Sequence, residues 1–214
     1  MPEPKPAFGP LRSSAVMRAR WNRRYREREL GWSVDPNPLL VAEASDLPAG
    51  RCLDLACGEG RSAIWLAQRG WRVTAVDFSD TGLERARLRA AHHGVEVEWV
   101  LQDVLDYEPR RHAYGLVLAL YLQLPPRERR FVLAGACRAV APGGRVLVVG
   151  HDLENLEHGW RGPSDPDVLL TAADVAAELP GLVIDRAERL TRSLDVDGET
   201  RDAFDALVRA HRRS

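Results

Sequence analysis

The stretch DLACGEGRSA, residues 54–63, decides the fold. It follows the apolar-leaning RCL of residues 51–53 and precedes IWLAQRG, residues 64–70. A glycine-rich turn therefore lies between a strand-like run and a helix-like run. Such a turn brings backbone N–H groups at a helix N-terminus beside a ligand, and glycine lets the backbone approach that ligand closely. Two spacings overlap in it. Gly58-x-Gly60-x-x-Ala63 has the form of a dinucleotide cradle, whereas Asp54-x-Ala56-x-Gly58-x-Gly60 has the form of a pocket for a nucleoside joined to an amino acid.

Outward from this turn the pattern alternates. Residues 51–56 read as a short apolar strand, 61–70 as a helix closed by Gly70, and 71–78 as a strand. Ser79 suits the N-cap of a helix that stops at Gly94. Residues 95–103 alternate as a half-buried strand should. Residues 114–122 form a continuous apolar run, as expected in the middle of a parallel sheet. Residues 125–141 read as a helix with its prolines in the first turn, ended by Pro142-Gly143-Gly144 and followed by the strand RVLVVG, residues 145–150. Strand–helix alternation of this kind predicts an α/β fold with a doubly wound, mostly parallel sheet, whose ligand sits at the carboxyl ends of the strands. The tail departs from the alternation. Residues 171–179 read as a helix, 182–190 as a strand, and 202–210 as a last strand after the turn DVDGET. No helix-sized crossover separates those two, so they are expected to pair as an antiparallel hairpin.

Ahead of the sheet, residues 14–30 read as an arginine-rich helix with Trp21 and Tyr25 one turn apart on the same face. Residues 31–38 break it, and residues 39–47 give a short helix ended near Pro48. Residues 1–13 read as a loose, proline-bearing tail. With no apolar core and no cleavage pattern, the start does not read as a signal peptide.

Three acidic positions bear on the choice between the two spacings. Asp54 lies inside the motif, where a carboxylate repels a pyrophosphate but welcomes an ammonium and a sulfonium. Asp77 ends the next strand, 23 residues after Asp54, and suits a carboxylate gripping both ribose hydroxyls; it fits either cofactor. Phe78 beside it can flank an adenine. Asp103 ends the third strand, at the adenine edge. The chain after the fingerprint is also short for the second, catalytic domain that most dehydrogenases carry.

Together DLACGEG, AVDFS, LQDV, LVLALYLQLP and APGGRVLVVGHD, in order over roughly residues 50–152, resemble the class I S-adenosylmethionine-dependent methyltransferases. The helix WNRRYRERELGWS resembles the N-terminal lid of the thiopurine and tellurite-resistance branch. The resemblance implies a Rossmann-like, seven-stranded sheet and S-adenosyl-L-methionine as cofactor. It places Asp54, Ala56, Gly58 and Gly60 at the methionine end, Asp77 at the ribose, Asp103 and Val104 at the adenine, and Ala119 and Leu120 under the cofactor. Trp21, Tyr25 and Trp32 are its lid candidates; the plain alternative is an amphipathic helix packing its aromatics on the core. Ala56 departs from the pattern, which usually has glycine there. The implied organisation is one domain over residues 14–214: a helical lid (14–49), a cofactor-binding core (50–150), and an acceptor loop with the hairpin (151–214).

Composition bounds the partners. The 214 residues, 45% hydrophobic and 29% charged with a net charge of −1, suit one ordinary globular domain and give no bulk reason to expect nucleic acid or an anionic membrane. Lys5 is the only lysine. Cys52, Cys57 and Cys137 are too few and too scattered for a disulfide framework or a zinc knuckle. With no run apolar enough to span a bilayer, a cytoplasmic protein is expected, as a monomer or homodimer. LPPR, residues 124–127, is superficially similar to the Asn-Pro-Pro-Tyr signature of amino-group methylation on nucleic-acid bases. It lacks the amide and the aromatic, which leaves a small molecule as the expected methyl acceptor.

His151 and Asp152 end the fifth strand. A histidine titrates near neutrality and suits a general base, and a carboxylate beside it suits an orienting partner. These are the catalytic candidates for an oxygen acceptor. Tyr121, Gln123 and Trp160 are the acceptor-pocket candidates, the last on a loop over residues 153–166 that is long enough to cover a substrate. His151, Asp152 and His158 also suggest a divalent metal, though their spacing matches no strong ligand motif and none is expected. Open alternatives are a sulfur, selenium or tellurium acceptor, an NAD-dependent oxidoreductase, and a cofactor-binding partner protein without catalysis.

Overall fold

The computed structural model describes residues 14–27, 35–160, 162–196 and 198–214. The proline-bearing tail, Trp32 and the expected end of the first helix at Leu30 lie outside them. The elements run α1 (Ser14–Glu27), α2 (Pro38–Ala44), β1 (Arg51–Leu55), α3 (Arg61–Ala67), β2 (Arg72–Asp77), α4 (Asp80–His92), β3 (Glu98–Leu101), β4 (Tyr114–Leu120), α5 (Pro126–Ala139), β5 (Val140–His151), α6 (Ala172–Ala177), β6 (Val183–Val196) and β7 (Glu199–His211), with short 3₁₀ turns at Leu153–Leu156 and Pro166–Val168.

Seven strands form one sheet in the order β3-β2-β1-β4-β5-β7-β6. The first five are parallel, and β7 inserts antiparallel between β5 and β6. The strand order reverses between β1 and β4, so the crevice for a ligand opens at their carboxyl ends. A period of two sorts the central strands onto two faces. Leu53, Leu55, Val117, Ala119, Val146 and Val148 pack with Val132, Leu133 and Ala136 of α5. Cys52, Leu116, Leu118, Leu147 and Val149 pack with Leu40 of α2 and with Ala63, Trp65 and Leu66 of α3. Asp54 falls on this second face, two residues along β1 from Cys52.

Two boundaries differ from the pattern in the sequence. Pro142-Gly143-Gly144 does not end α5, which stops at Ala139. Those residues belong to β5, whose pairing with β4 jumps from Tyr114↔Val140 to Leu116↔Arg145. A side chain at Gly144 would meet the Tyr114 carbonyl oxygen at 2.8 Å, so glycine allows the two strands to close. The hairpin strands are also longer than the apolar runs announced, with pairing continuing to Val196↔Glu199. Cross-strand polar pairs such as Ser193 with Asp202 extend the ladder where hydrophobic alternation has ended.

Candidate functional site

Residues 56–60 turn the chain from β1 into α3. Ala56, Gly58 and Gly60 all have left-handed backbones, with φ of 59°, 57° and 74°. Gly60 must also lack a side chain, because a Cβ there would collide with the Trp99 ring of β3 and meet Ala86 Cβ at 3.0 Å. Ala56 carries a Cβ in a conformation that costs an L residue about 1 kcal/mol. Ala56→Gly is therefore expected to stabilise the protein by about 0.5 kcal/mol, since relief of that strain slightly exceeds the entropy glycine adds to the unfolded chain. A urea midpoint that rises with an unchanged slope would show it.

Asp77, at the end of β2, holds this turn. Its carboxylate accepts from Gly58 N–H at 2.8 Å through Oδ2 and from Ser79 N–H at 2.8 Å through Oδ1. Burial pushes its pKa up, against the pull of these backbone N–H groups. The Ser79 hydroxyl accepts from Gly82 N–H at 2.9 Å, which caps α4, and donates to Asn22 Oδ1 of α1 at 2.5 Å. That bond fixes α1 over the turn. Tyr25, 4% exposed, lies there too: its hydroxyl is 2.7 Å from where a Gly58 Cβ would stand. Burial, and then the Asp77 charge, push its phenol pKa up. Trp21 packs on Tyr25, ring centroids 5.7 Å apart, and the Arg24 guanidinium lies 5.2 Å over the Trp21 ring.

Asp54 is 2% exposed, and its Oδ2 is buried without a hydrogen-bond partner. Its pKa is pushed up to about 7, first by burial and then by the Asp77 charge, with Arg61 opposing. Arg61, in the first turn of α3, is a residue the sequence reading passed over. Gln123 Nε2, just beyond β4, and His151 Nδ1, at the end of β5, are likewise buried and unpartnered. Residues at or just beyond the ends of three neighbouring strands, β1, β4 and β5, thus each bring a buried polar atom without a closed hydrogen bond to the same edge of the sheet.

The adenine candidates lie on the β2–β3 side. The strand β3 ends at Leu101 rather than at Asp103, because Asp103 closes a turn instead, its Oδ1 accepting from Leu105 N–H at 2.9 Å. Val104 is buried and Phe78 half-buried. Ala119 is buried within β4, and Leu120 at its end is partly open.

Beyond the end of β4, Tyr121 has φ of 54°, and its ring centroid lies 4.9 Å from that of His151. The loop returns over His151: a Cβ on Gly162 would stand 3.4 Å from its Cγ. Asp152 does not face the imidazole. It is 1% exposed, caps the first 3₁₀ turn by accepting from Glu154 N–H at 3.0 Å, and pairs with Arg189 Nε at 2.9 Å. The carboxylate beside His151 belongs to Asp205 of β7, with Oδ1 3.6 Å from Nδ1. The sequence did carry a signal for it: Ala203, Asp205 and Leu207 share one buried face, and only one of them is charged. Trp160 donates its backbone N–H to Asp202 O at 2.7 Å, and the Arg201 guanidinium lies 4.7 Å over its ring, so the loop is tied to the hairpin. His158 is exposed and pairs with Glu154. Among the described residues no three His, Cys, Asp or Glu side chains are grouped to hold a metal, and no helix is long and apolar enough to cross a membrane. A cavity of about 660 Å³ lined by His112, Pro142 and Arg212 opens at the opposite, amino edge of the sheet, away from all of these groups.

Residues 52–144 match a family described as a methyltransferase domain. A ubiquinone biosynthesis O-methyltransferase of Salmonella arizonae is 31% identical over 117 residues, 52% of this chain and 48% of that protein. The crystal structure of TehB from Haemophilus influenzae shares the fold, with a TM-score of 0.69 at 15% identity over 83% of this chain and 62% of that one. The matched region and the shared fold support a class I S-adenosylmethionine-dependent methyltransferase. It also resembles an S-adenosyl-L-methionine-dependent Diels-Alderase of Talaromyces variabilis, 31% identical over 134 residues, 59% of this chain and 41% of that protein. The chain spans about half the length of the curated relatives it matches.

The methyltransferase fold implies S-adenosylmethionine, and the residues present fit it. Asp54 Oδ2 is a buried acceptor without a partner, which suits a cationic donor. The left-handed turn of residues 56–60 lies at the carboxyl end of β1 and leads straight into α3. Asp77 sits at the end of β2, where the ribose of a bound nucleoside falls in doubly wound sheets.

Proposed function

We propose that this methyltransferase transfers a methyl group to an oxygen atom of a small molecule, with His151 as general base. S-adenosylmethionine, when bound, supplies a methyl group on a positively charged sulfur. Asp54 and Arg61 serve the ammonium and carboxylate of its methionine end, with Ala56, Gly58 and Gly60 beside them. Asp77 grips the ribose. Phe78, Asp103 and Val104 flank the adenine, and Ala119 and Leu120 form the floor. Tyr25 and Trp21 cover the site from α1. Tyr121, Gln123 and Trp160 line the acceptor side. Residues 14–49 act as the cover, 50–150 as the cofactor half and 151–214 as the acceptor half.

The observation that carries the reading is the placement of His151. Its imidazole stands at the carboxyl edge of β5, under Gly162 and against the Tyr121 ring, with 16% of its side chain open. A hydroxyl is a weak nucleophile until its proton is taken, and a positioned imidazole takes it at neutral pH. The relative from Salmonella arizonae is named for an oxygen acceptor, which supports the choice of atom.

Calorimetric titration of S-adenosylmethionine followed by a radiolabelled-methyl screen of small phenols, carboxylic acids and thiols tests it. His151→Gln is expected to slow transfer to the phenol acceptors about 10²-fold while leaving cofactor affinity unchanged. Equal rates for wild type and variant would remove His151 as base. Transfer to thiols alone would move the acceptor atom to sulfur.

A further inference from the structure

Asp205 is fully buried in β7, directly opposite His151 in the β5–β7 pairing. Three groups converge on its carboxylate. The Tyr121 hydroxyl donates to Oδ2 at 2.8 Å. Arg192 of β6 donates Nε to the same oxygen and Nη2 to Oδ1 at 3.3 Å. His151 Nδ1 faces Oδ1 at 3.6 Å. The neighbours along the strand, Ala203, Ala206, Leu207 and Val208, are apolar and buried. Backbone pairing of β7 does not itself require a carboxylate there, because a buried ion pair replaced whole by well-packed apolar residues is often at least as stable.

The charge state follows from the surroundings. Burial alone would raise the Asp205 pKa, but His151, Arg192 and Tyr121 together hold it below the usual carboxylate range. The group is therefore an anion at neutral pH. Tyr121 and Arg192 saturate Oδ2, and Oδ1 remains turned toward His151. Nδ1 of His151 is buried and has no other hydrogen-bond partner. An anionic oxygen facing that nitrogen favours a proton on it. The distance is longer than a closed hydrogen bond, as is common for such pairs before substrate is bound.

We propose that Asp205, anchored by Arg192 and Tyr121, is the positioning residue that holds neutral His151 in its Nδ1–H tautomer and leaves the Nε2 lone pair for the acceptor's proton. The proposal rests on the reading of His151 as base. The proton leaves the acceptor hydroxyl for Nε2; the imidazolium keeps its Nδ1–H toward Asp205, which stays ionised throughout. Tyr121 gains a purpose for its left-handed backbone, which costs about 1 kcal/mol: with Tyr121 N–H bound to Val149 O, that turn brings its hydroxyl onto Asp205.

The test is the ¹⁵N spectrum of the His151 ring in the whole protein with S-adenosylhomocysteine added, above the titration of the imidazole, with His151→Gln used to assign its signals. The wild type is expected to show mainly Nδ1–H, against the preference of free histidine for Nε2–H. In Asp205→Asn the carbonyl oxygen stays with the Tyr121 and Arg192 donors. The amide NH₂ then faces Nδ1, and the tautomer is expected to reverse to Nε2–H, with transfer to a phenol acceptor falling about 10²-fold at unchanged cofactor affinity. A wild type that shows mainly Nε2–H overturns the proposal without recourse to any variant. So does an unchanged tautomer in folded Asp205→Asn. The expected tautomers with a fully active His151→Gln would instead overturn the reading of His151 as base.

Discussion

Asp54→Asn is expected to abolish tight S-adenosylmethionine binding and at the same time to raise the protein's melting temperature. Both effects follow from one orphaned oxygen. Asp54 is buried, its Oδ2 has no hydrogen-bond partner, and its pKa stands at about 7 against an ordinary 3.8. Between those two values the unfolded chain is ionised at this position while the folded chain still holds the proton. Stability therefore falls as pH rises from about 4 to about 7, and the loss is complete above the folded pKa. The penalty is on the order of 2–4 kcal/mol. Asparagine carries none of it, so the gap in melting temperature between variant and wild type opens across that pH range and then stays constant. A cationic ammonium beside Asp54 removes the same penalty in the wild type, and an amide cannot replace the charge; a loss of about 10²-fold in affinity or more is expected. Scanning calorimetry at pH 5 and pH 8, with and without cofactor, reads both. Unchanged affinity would remove Asp54 from the methionine end, and a pH-independent gap would mean that its charge is compensated.

Asp77→Ala is expected to lose the cofactor as well, with the opposite effect on stability. Asp77 satisfies two N–H groups, Gly58 and Ser79, both buried. Each donor left unsatisfied costs about 1–3 kcal/mol, and the glycine turn loses its tie to β2. The raised pKa of Asp77 offsets only part of this. A fall of roughly 5–15 °C in melting temperature follows for a chain of this size, with Asp77→Asn between wild type and alanine because one carbonyl oxygen remains to accept. Cofactor affinity is expected to drop about 10²-fold in the alanine variant. Titration into the folded variant at low temperature separates that loss from unfolding. Full affinity there would place the nucleoside elsewhere.

The parallel half of the fold was legible because its signals are local. Apolar runs of strand length, glycine at the turns and Ser79 at a cap each act within a few residues, and the order of the runs dictates the order of the strands. The glycine turn and Asp77 were legible for the same reason. The surroundings of His151 were not. Asp152 is adjacent to His151 in sequence and points away from it, since neighbours on a strand face opposite sides. Asp205 is 54 residues further on and lies beside it. Only the antiparallel register brings them together, and register is a property of two strands at once. Arg61 was hidden differently: it stands next to the motif, but its relation to Asp54 needs the turn closed in three dimensions. Pro142-Gly143-Gly144 misled because breakers of helix also serve where two strands approach too closely for side chains.

If residues 151–214 hold the acceptor as proposed, the hairpin carries a consequence for how acceptor preference changes. Pairing of β5 with β7 ends at His151↔Asp205, while β6 and β7 stay paired as far as Val196↔Glu199. The outer ends of β6 and β7 therefore extend past β5 as a two-stranded ribbon, braced by Asn155 on Phe204 and by Trp160 on Asp202. Adding or removing two residues in each strand of that ribbon keeps every side chain on its original face, and a change of one inverts them all. Ribbons grafted from relatives in even steps would give chimeras that retain one cofactor affinity across the whole series while their acceptor preferences diverge.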